Sequence, residues 1–101
     1  MNEQVFDALG HPTRREILAL LRGAPLPVGV IADHFPISRP AISKHLRILQ
    51  EAGLVGMDEQ GTKNIFSLRL SGFQEAKAYL DSFWDQALLN FKNFAEKTPE
   101  T

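Results

Sequence analysis

The stretch "PISRPAISKHLRIL", residues 36–49, carries three positive side chains and no negative one, in a chain whose formal net charge is −1. Advancing about 100° per residue along a helix places Leu46 and Leu49 within about 60° of Ile42, on one face. The other face collects Pro40, Ser43, Lys44 and Arg47. The stretch therefore predicts a helix with one buried apolar face and one basic face that projects outward.

This basic face has two interpretations. The charged outer face of a helix is in most proteins only solvated surface. Ordinary surfaces mix charges of both signs, however, and this face holds no acid. A short helix and a tight turn precede it, and Ser38 is a suitable N-cap. That order is typical of a helix-turn-helix, whose second helix enters the major groove of DNA.

The charge of the chain is unevenly distributed. Residues 36–70 hold five Lys or Arg and three Asp or Glu, a net charge of +2, whereas residues 71–101 have three and five, a net charge of −2. The 101 residues suit one domain, and the absence of cysteine excludes disulfides and thiolate metal sites. No apolar run is as long as a membrane span, and no signal peptide is recognisable, so a soluble cytoplasmic protein is expected.

Helix-breaking residues divide the rest of the chain into further helices and one hairpin. The sequence "TRREILALLR" predicts a helix opened by the capping-box pair Thr13 and Glu16, "GAPLP" (residues 23–27) predicts a turn, and "VGVIADHF" predicts a short helix. Gly53 is expected to end the basic helix. A hairpin turn is expected at residues 60–62. After it, the alternation of apolar and polar side chains from Phe66 to Leu70 predicts a strand. A last helix is expected from Ser71 to about residue 97.

The segments "HPTRREILALL" and "IADHFPISRPAISKHLRILQEAGLV", followed by a hairpin, resemble the ArsR/SmtB family of winged-helix bacterial repressors. Within the family the resemblance is closest to the metal-independent SdpR-like branch. It implies a mainly α fold with a small β-hairpin: a winged helix-turn-helix of four helices, two strands and a fifth helix. The whole of 1–101 would be one domain, with the helix-turn-helix at about 28–52, the wing at about 54–70 and dimerisation helices at about 2–9 and 72–97.

The resemblance also places the DNA contacts on the basic helix and on the wing. Arg39 and Lys44 have the chemistry to bind guanine edges or phosphates, and the serines suit hydrogen bonds to phosphates or bases. Arg47, one turn further on, is expected to touch the DNA backbone, and Lys63 at the wing tip to bind phosphate. The expected DNA-binding residues are Ser38, Arg39, Pro40, Ala41, Ser43, Lys44, Arg47 and Lys63.

Three residues near this surface have structural interpretations. His45 lies toward the buried face of the basic helix and is expected to support the fold. Arg14 and Arg15 are expected either to reach DNA or to pair with a neighbouring acid, Glu16 or Asp7.

The chain departs from the family at its metal sites. Founding members sense metals through cysteines, and the matching positions here are Pro27 and Gly29. A second family site uses Asp and His on the last helix, which here has Asp81 and Asp85 but no histidine. The three histidines of the chain have no ligand spacing between them. We therefore expect no metal site and no cofactor.

The last helix has more apolar side chains than one face of a small domain can cover. Two adjacent seams, one through Leu80 and one through Leu88, form a wide stripe that predicts a homodimer, with an N-terminal apolar patch as its companion surface. The expected interface residues are Val5, Phe6, Leu9, Phe83, Trp84, Ala87, Leu88, Phe91 and Phe94. The alternative is that Leu80, Phe83 and Trp84 only close the core of the monomer.

No Ser/His/Asp arrangement, phosphate loop or pair of acids indicates catalysis, so the chain is not expected to be an enzyme. We interpret it as a homodimeric repressor, controlling its own gene, that binds double-stranded DNA at an inverted-repeat operator, with no membrane partner and an unknown effector. Two alternatives stay open: a repressor that responds to a small molecule in an apolar pocket near Trp84, and a winged-helix module that binds protein instead of DNA.

Overall fold

A computed structural model describes residues 3–97, which form helices around a small antiparallel sheet. In chain order the elements are α1 (Glu3–Leu9), α2 (Pro12–Leu21), β1 (Leu26–Pro27), α3 (Val28–Asp33), α4 (Arg39–Glu51), β2 (Val55–Gln60), β3 (Lys63–Leu68) and α5 (Leu70–Lys97). The prediction of a mainly α winged helix-turn-helix is confirmed. Residue 2, where the first helix was expected to begin, lies outside the described part of the chain.

The core forms around α4, which packs on α1, α2 and α3. Ile42, Leu46 and Leu49 are fully buried, as their spacing predicts, and burial of each stabilises the fold by about 1.5–3 kcal/mol. They meet side chains from the other helices and both wing strands. The buried set is Val5, Ala8, Ile17, Leu18, Leu21, Ile31, Ile42, Leu46, Leu49, Ala52, Leu54, Val55, Phe66 and Ala76.

Local signals fix both ends of α4 and the tip of the wing. The Ser38 side chain accepts a hydrogen bond from the backbone N–H of Ala41 at 3.3 Å, the expected N-cap. Gly53 follows the helix with φ +78°, and Gly61 turns the hairpin with φ +64°. Glycine adopts these left-handed conformations without the steric cost that a Cβ imposes.

The N-terminus of α2 differs from the expected capping box. The helix begins at Pro12, and its N-cap is His11, whose Nδ1 accepts a hydrogen bond from the backbone N–H of Thr13 at 3.1 Å. Thr13 and Glu16 already lie inside the helix. Proline suits the first helical position because it has no N–H to be satisfied there, and this shifts the start two residues upstream.

The sheet has one strand more than the sequence predicts. Leu26 and Pro27, expected in a turn, form β1 and pair with Phe66 and Ile65 of β3, in the strand order β1-β3-β2. Pro27 is tolerated because β1 lies at the edge of the sheet. Leu70, expected at the end of the last strand, instead starts α5 and is exposed.

Only the start of α5 packs against the rest of the molecule. Ala76 is buried, and the Tyr79 ring packs edge-on against Phe6 of α1, with centroids 5.1 Å apart. A helix of 28 residues is about 42 Å long, so its second half projects from the body and the longest extent is 71 Å. No helix in the described part of the chain has the length and apolar character needed to cross a bilayer.

Candidate nucleic-acid interface

The outward face of α4 presents the predicted DNA-binding side chains to solvent. Ala41 is half-buried against the body. The N-cap residue Ser38 is exposed, and so are the remaining α4 members of the set, which are Arg39, Pro40, Ser43, Lys44 and Arg47. One acid, Glu51, lies in the last turn of α4, at the end opposite Arg39. Positive charge therefore dominates the first three turns, at the end of the helix that carries the Ser38 cap.

Arg39 and Lys63, 24 residues apart in the chain, face one open groove of about 620 Å³. Arg39 is fixed as the first residue of α4, and its Nη1 lies 3.8 Å from where a Cβ on Gly29 would stand, beside the start of α3. Lys63 pairs with Gln60 across the hairpin and is exposed at the wing tip. The groove between the helix-turn-helix and the wing is thus bounded by a cation on each side.

The sequence interpretation missed several residues of this groove. Thr62 and Asn64 flank Lys63 at the wing tip, and Ile37 lies in the turn before α4 with a partly exposed side chain. Asp33 adds one carboxylate to the same groove. The two wing residues follow directly from the position of the hairpin turn, whereas the place of Asp33 depends on the packing of α3 beside the wing.

Ser43, Lys44 and Arg47 do not line the groove. They lie further along α4 and are exposed, so they continue its basic surface beyond Arg39. Of the eight predicted DNA contacts, Arg39 and Lys63 thus line the groove, Ala41 is half-buried, and the others are exposed outside the groove.

His45 attaches α4 to α2, in agreement with its expected structural role. Its ring lies 4.7 Å from the His11 ring, measured between centroids, and its Nδ1 is 3.3 Å from Nη1 of Arg14. Because a guanidinium only donates, His45 Nδ1 is the acceptor and the ring carries its proton on Nε2. Burial lowers the pKa of His45 below its usual value, and the nearby His11, Arg14 and Lys44 lower that pKa further.

Arg14 and Arg15 hold the C-terminus of α1. Arg14 donates from Nε to the carbonyl of Ala8 at 2.9 Å and from Nη2 to the carbonyl of Asp7 at 3.0 Å. Arg15 donates from Nη1 to the carbonyl of Leu9 at 2.7 Å. Their acceptors are thus backbone carbonyls in the last turn of α1, and not the carboxylates of Glu16 or Asp7.

At the positions that would carry metal ligands in the family, the described residues do not assemble a set of ligands. Pro27 and Gly29 have no ligating side chain, and Asp81 accepts a hydrogen bond from Lys77 Nζ at 2.6 Å. Among residues 3–97, no three side chains of the His, Cys, Asp or Glu type are grouped so that they could hold a metal ion.

The predicted dimer surface is exposed on α5 but not on α1. Val5 is fully buried in the protomer core, so it offers no area to a second chain, and Phe6 and Leu9 are half-buried. The alternative that Leu80, Phe83 and Trp84 close the core is wrong, since each is more than half exposed. The exposed members of the predicted set are Phe83, Trp84, Ala87, Leu88, Phe91 and Phe94.

Comparison with known proteins gives relatives of one kind. A family model described as a helix-turn-helix domain matches residues 9–57. The HTH-type transcriptional regulator Rv2034 of Mycobacterium tuberculosis is 38% identical over 89 residues, 88% of this chain and 83% of the relative. The transcriptional repressor SdpR of Bacillus subtilis is 40% identical over 79 residues, 78% of this chain and 88% of the relative.

Solved structures share the fold over most of both chains. An ArsR-like transcriptional regulator from Rhodococcus sp. RHA1 has a TM-score of 0.77 and 33% identity, over 96% of this chain and 92% of that chain. A second similar structure is a homodimeric winged helix-turn-helix DNA-binding domain from Mycobacterium bovis, Mb0332, described as a possible ArsR-family regulator. It has a TM-score of 0.67 and 26% identity, over 85% of this chain and 80% of that chain. Transcriptional regulators bind DNA and are not enzymes, which agrees with the non-enzyme prediction.

Proposed function

Because the chain belongs to the ArsR family of winged helix-turn-helix transcriptional regulators, we propose that it is a homodimeric repressor that binds an inverted-repeat operator and does not sense metals. The repressor would act by occupancy, since a dimer bound at a promoter excludes polymerase from that DNA. Control of its own gene is part of the proposal.

The exposed basic face of α4 is the observation that carries the proposal. Arg39 and Lys63 face one groove, and Lys44 and Arg47 continue the positive surface along the helix. Residues at the start of a recognition helix contact base edges, and a wing contacts the adjacent backbone. We therefore assign base contacts to Arg39, Ser43 and Lys44, and phosphate contacts to Arg47 and Lys63.

The dimer part of the proposal is supported by the exposed stripe of α5. Phe91 is 72% exposed and Trp84 67% exposed, more apolar surface than a soluble monomer usually shows in one patch. The Mycobacterium bovis relative is homodimeric. A two-fold dimer would present its recognition helices about 34 Å apart, one turn of DNA, so the operator is expected to be an inverted repeat.

The DNA-binding assignment is tested with Arg39→Ala and Lys44→Ala in salt titrations against the upstream region of the gene. Loss of the assigned base contact should cost about 1–3 kcal/mol in each variant, and loss of the positive charge should reduce the salt slope by up to about one unit. Lys92→Ala, which removes an exposed cation from α5, is the matched control and should change neither quantity. Wild-type affinity in both α4 variants would contradict the assignment, and the absence of salt-dependent binding to any duplex would favour a protein-binding module.

The metal-insensitive part has a separate test. Zn²⁺, Ni²⁺ or arsenite at near-stoichiometric levels should leave operator affinity unchanged, because tight sites need three or four convergent ligands. Isothermal titration calorimetry of the protein with Zn²⁺, with and without operator, measures the Zn²⁺ affinity and its coupling to DNA binding. Submicromolar Zn²⁺ affinity coupled to release of the operator would overturn it.

One observation favours a second candidate, a repressor released by a small apolar molecule. Leu80, Phe83, Trp84 and Ala87 line an open groove of about 600 Å³ on α5. The same side chains belong to the stripe that we assign to the dimer, and a second chain would cover them. A metabolite that changes operator affinity while the protein stays dimeric would support the ligand-responsive candidate.

A further inference from the structure

Pro40 lies at the centre of the outward face of α4. At about 100° per residue it stands about 160° from the buried Ile42 and within about 60° of Ser43, Lys44 and Arg47. All four outward side chains are exposed. Side chains three and four positions apart on a helix are neighbours, with Cβ atoms about 5–6 Å apart. Pro40 therefore adjoins Ser43 and Lys44, the two residues of this face to which we assign base contacts.

The helix start explains why a proline is tolerated at this position, but it leaves the ring on the surface. Pro40 belongs to the first turn of α4, where a backbone N–H has no partner within the helix. Ser38 caps this turn through the N–H of Ala41, so the cap does not depend on position 40. The ring is exposed and does not line the groove at the wing. Its carbon atoms are therefore available to whatever the outward face of α4 contacts.

The polar side chains around the proline are hydrogen-bond donors. Lys44 and Arg47 only donate, and Ser43 can donate or accept. The side-chain amide and the carboxylate of α4, on Gln50 and Glu51, lie in its last turn, at the far end of the helix. In the major groove guanine presents the acceptors N7 and O6 and thymine presents the acceptor O4, whereas cytosine and adenine each present an amino donor. This face therefore suits guanine and thymine better than cytosine or adenine.

Thymine is the base that suits the proline ring. Its 5-methyl is the apolar group that the major groove presents, and apolar side chains contact it. A polar base edge set against the ring would lose its hydrogen bonds to water and gain none in return. Thymine places its methyl against carbon and keeps O4 for a donor, which Ser43 or Lys44 supplies from the next turn. The neighbouring positions of this face thus match the two groups of one base edge.

We propose that Pro40 selects thymine in each half-site of the operator, by contact with the 5-methyl group of that base. The proposal rests on the DNA-binding function proposed above and adds the identity of one base that the protein reads. Arg39 and Lys44 keep their roles as donors to acceptors on the bases. Because the operator is expected to be an inverted repeat, this thymine should occur once in each half, at symmetric positions.

Replacement of thymine by deoxyuridine tests the contact, because it removes the methyl and leaves every hydrogen-bonding group of the base. Protection of the upstream region from hydroxyl radicals locates the half-sites, and each thymine of one half-site is then replaced singly. One replacement should weaken wild-type binding about 4-fold, equivalent to about 0.8 kcal/mol, the value of one buried methylene-sized group. The thymine that responds is the one assigned to Pro40.

Pro40→Ala identifies the side chain that makes the contact. The ring is exposed, so the variant should unfold in urea at the same concentration as the wild type. It should bind the thymine operator and the deoxyuridine operator equally, because no ring remains to meet the methyl. Pro25→Ala is the matched control: Pro25 is also exposed but lies in the turn before β1, and this variant should keep the difference of about 4-fold.

The outcomes separate this assignment from the proposed function. Half-sites without thymine, or a wild-type affinity that no deoxyuridine changes, would overturn the thymine contact and leave the repressor intact. A loss of equal size in Pro40→Ala and in the wild type would also overturn it, because another side chain would then contact the methyl. The absence of salt-dependent binding to any duplex would overturn the assignment and the proposed function together.

Discussion

His45 shows how a single side chain on α4 is constrained by the body of the domain. It reaches from α4 to Arg14 and His11, which belong to α2 and to the turn before it. Arg14 at the same time holds the end of α1 through two backbone carbonyls. The orientation of α4 is thus tied to both N-terminal helices through one histidine and one arginine, and this link requires the neutral form of His45.

Stability should fall in mild acid because His45 must then take up a proton. The pKa of His45 in the folded protein is lowered from 6.5, first by burial and then by His11, Arg14 and Lys44. A depressed folded pKa contributes stability that is fully present above pH 6.5 and is lost as the pH falls through the folded pKa. The free energy of unfolding in urea, measured at pH 7.5 and pH 5.5, should drop more in the wild type than in His45→Gln.

The exposed histidine provides the control for this measurement. His34 lies at the end of α3, with Nδ1 2.9 Å from the carbonyl of Val30. His34→Gln should keep the pH dependence of the wild type. If His45→Gln keeps it as well, then the acid sensitivity arises elsewhere and the role given to the Arg14–His45 contact is wrong.

At the scale of the elements, the end of α4 and the start of α5 are joined by backbone contacts. The Gly53 carbonyl accepts a hydrogen bond from the backbone N–H of Gly72 at 3.0 Å, and the Leu54 carbonyl accepts one from Arg69 at 3.0 Å. Gly53, with its positive φ, lies in the turn that follows α4. The helix proposed to carry the dimer therefore starts directly against the turn that follows the helix proposed to read DNA.

This junction makes Gly72 sensitive to substitution. A Cβ at position 72 would stand 2.7 Å from the carbonyl oxygen of Gly53 and 2.9 Å from its carbonyl carbon, and backbone atoms cannot rotate away as a side chain can. Gly72→Ala should reduce the free energy of unfolding by about 1–3 kcal/mol, the usual cost of overpacking, as measured by urea denaturation.

Gly23→Ala is the matched control for the junction. The nearest atom to a Cβ at position 23 is the Leu20 carbonyl oxygen at 3.5 Å, an ordinary contact. The substitution should therefore change stability by less than about 0.5 kcal/mol. Equal effects of the two alanines would show that the Gly53–Gly72 approach is not tight in solution.

The whole molecule is much more extended than its length requires. Its radius of gyration is 19.0 Å, compared with about 13 Å for a compact domain of 100 residues. The excess comes from α5, since the body is only 25 by 23 Å in cross-section. An extended apolar helix without a body behind it gains stability only by packing against another surface, because water otherwise solvates its apolar side chains.

Two substitutions on opposite faces of α5 separate the dimer stripe from the general surface of the helix. Phe91→Glu should weaken the dimer by about 2 kcal/mol or more, roughly 30-fold in dissociation constant, and should weaken operator binding with it. Leu89 is also exposed, at 52%, but lies on the face opposite the stripe, and Leu89→Glu should be nearly neutral. Sedimentation equilibrium at micromolar concentration measures the dimer dissociation constant of both variants. Equal weakening by the two variants would remove the stripe as the interface.

The helix-turn-helix could be predicted from residue spacing alone, because its signals act over one or two turns of chain. The spacing of Ile42, Leu46 and Leu49 set the buried face of α4, and the Ser38 cap set its first turn. Gly61 set the hairpin, since few other residues adopt its positive φ. The outward basic face followed from the same helical period, without reference to the rest of the fold.

Which distant segments meet could not be predicted in this way, because it depends on how the whole chain packs. Leu26 became a strand because Phe66, 40 residues later, supplies its hydrogen-bonding partner. Val5 is not part of an exposed dimer surface, because α1 packs this side chain into the core. Arg39 and Lys63 face one groove because the wing lies beside α3. Such contacts depend on long-range packing that residue spacing does not encode, whereas caps, turns and helical faces arise from interactions between near neighbours in the chain.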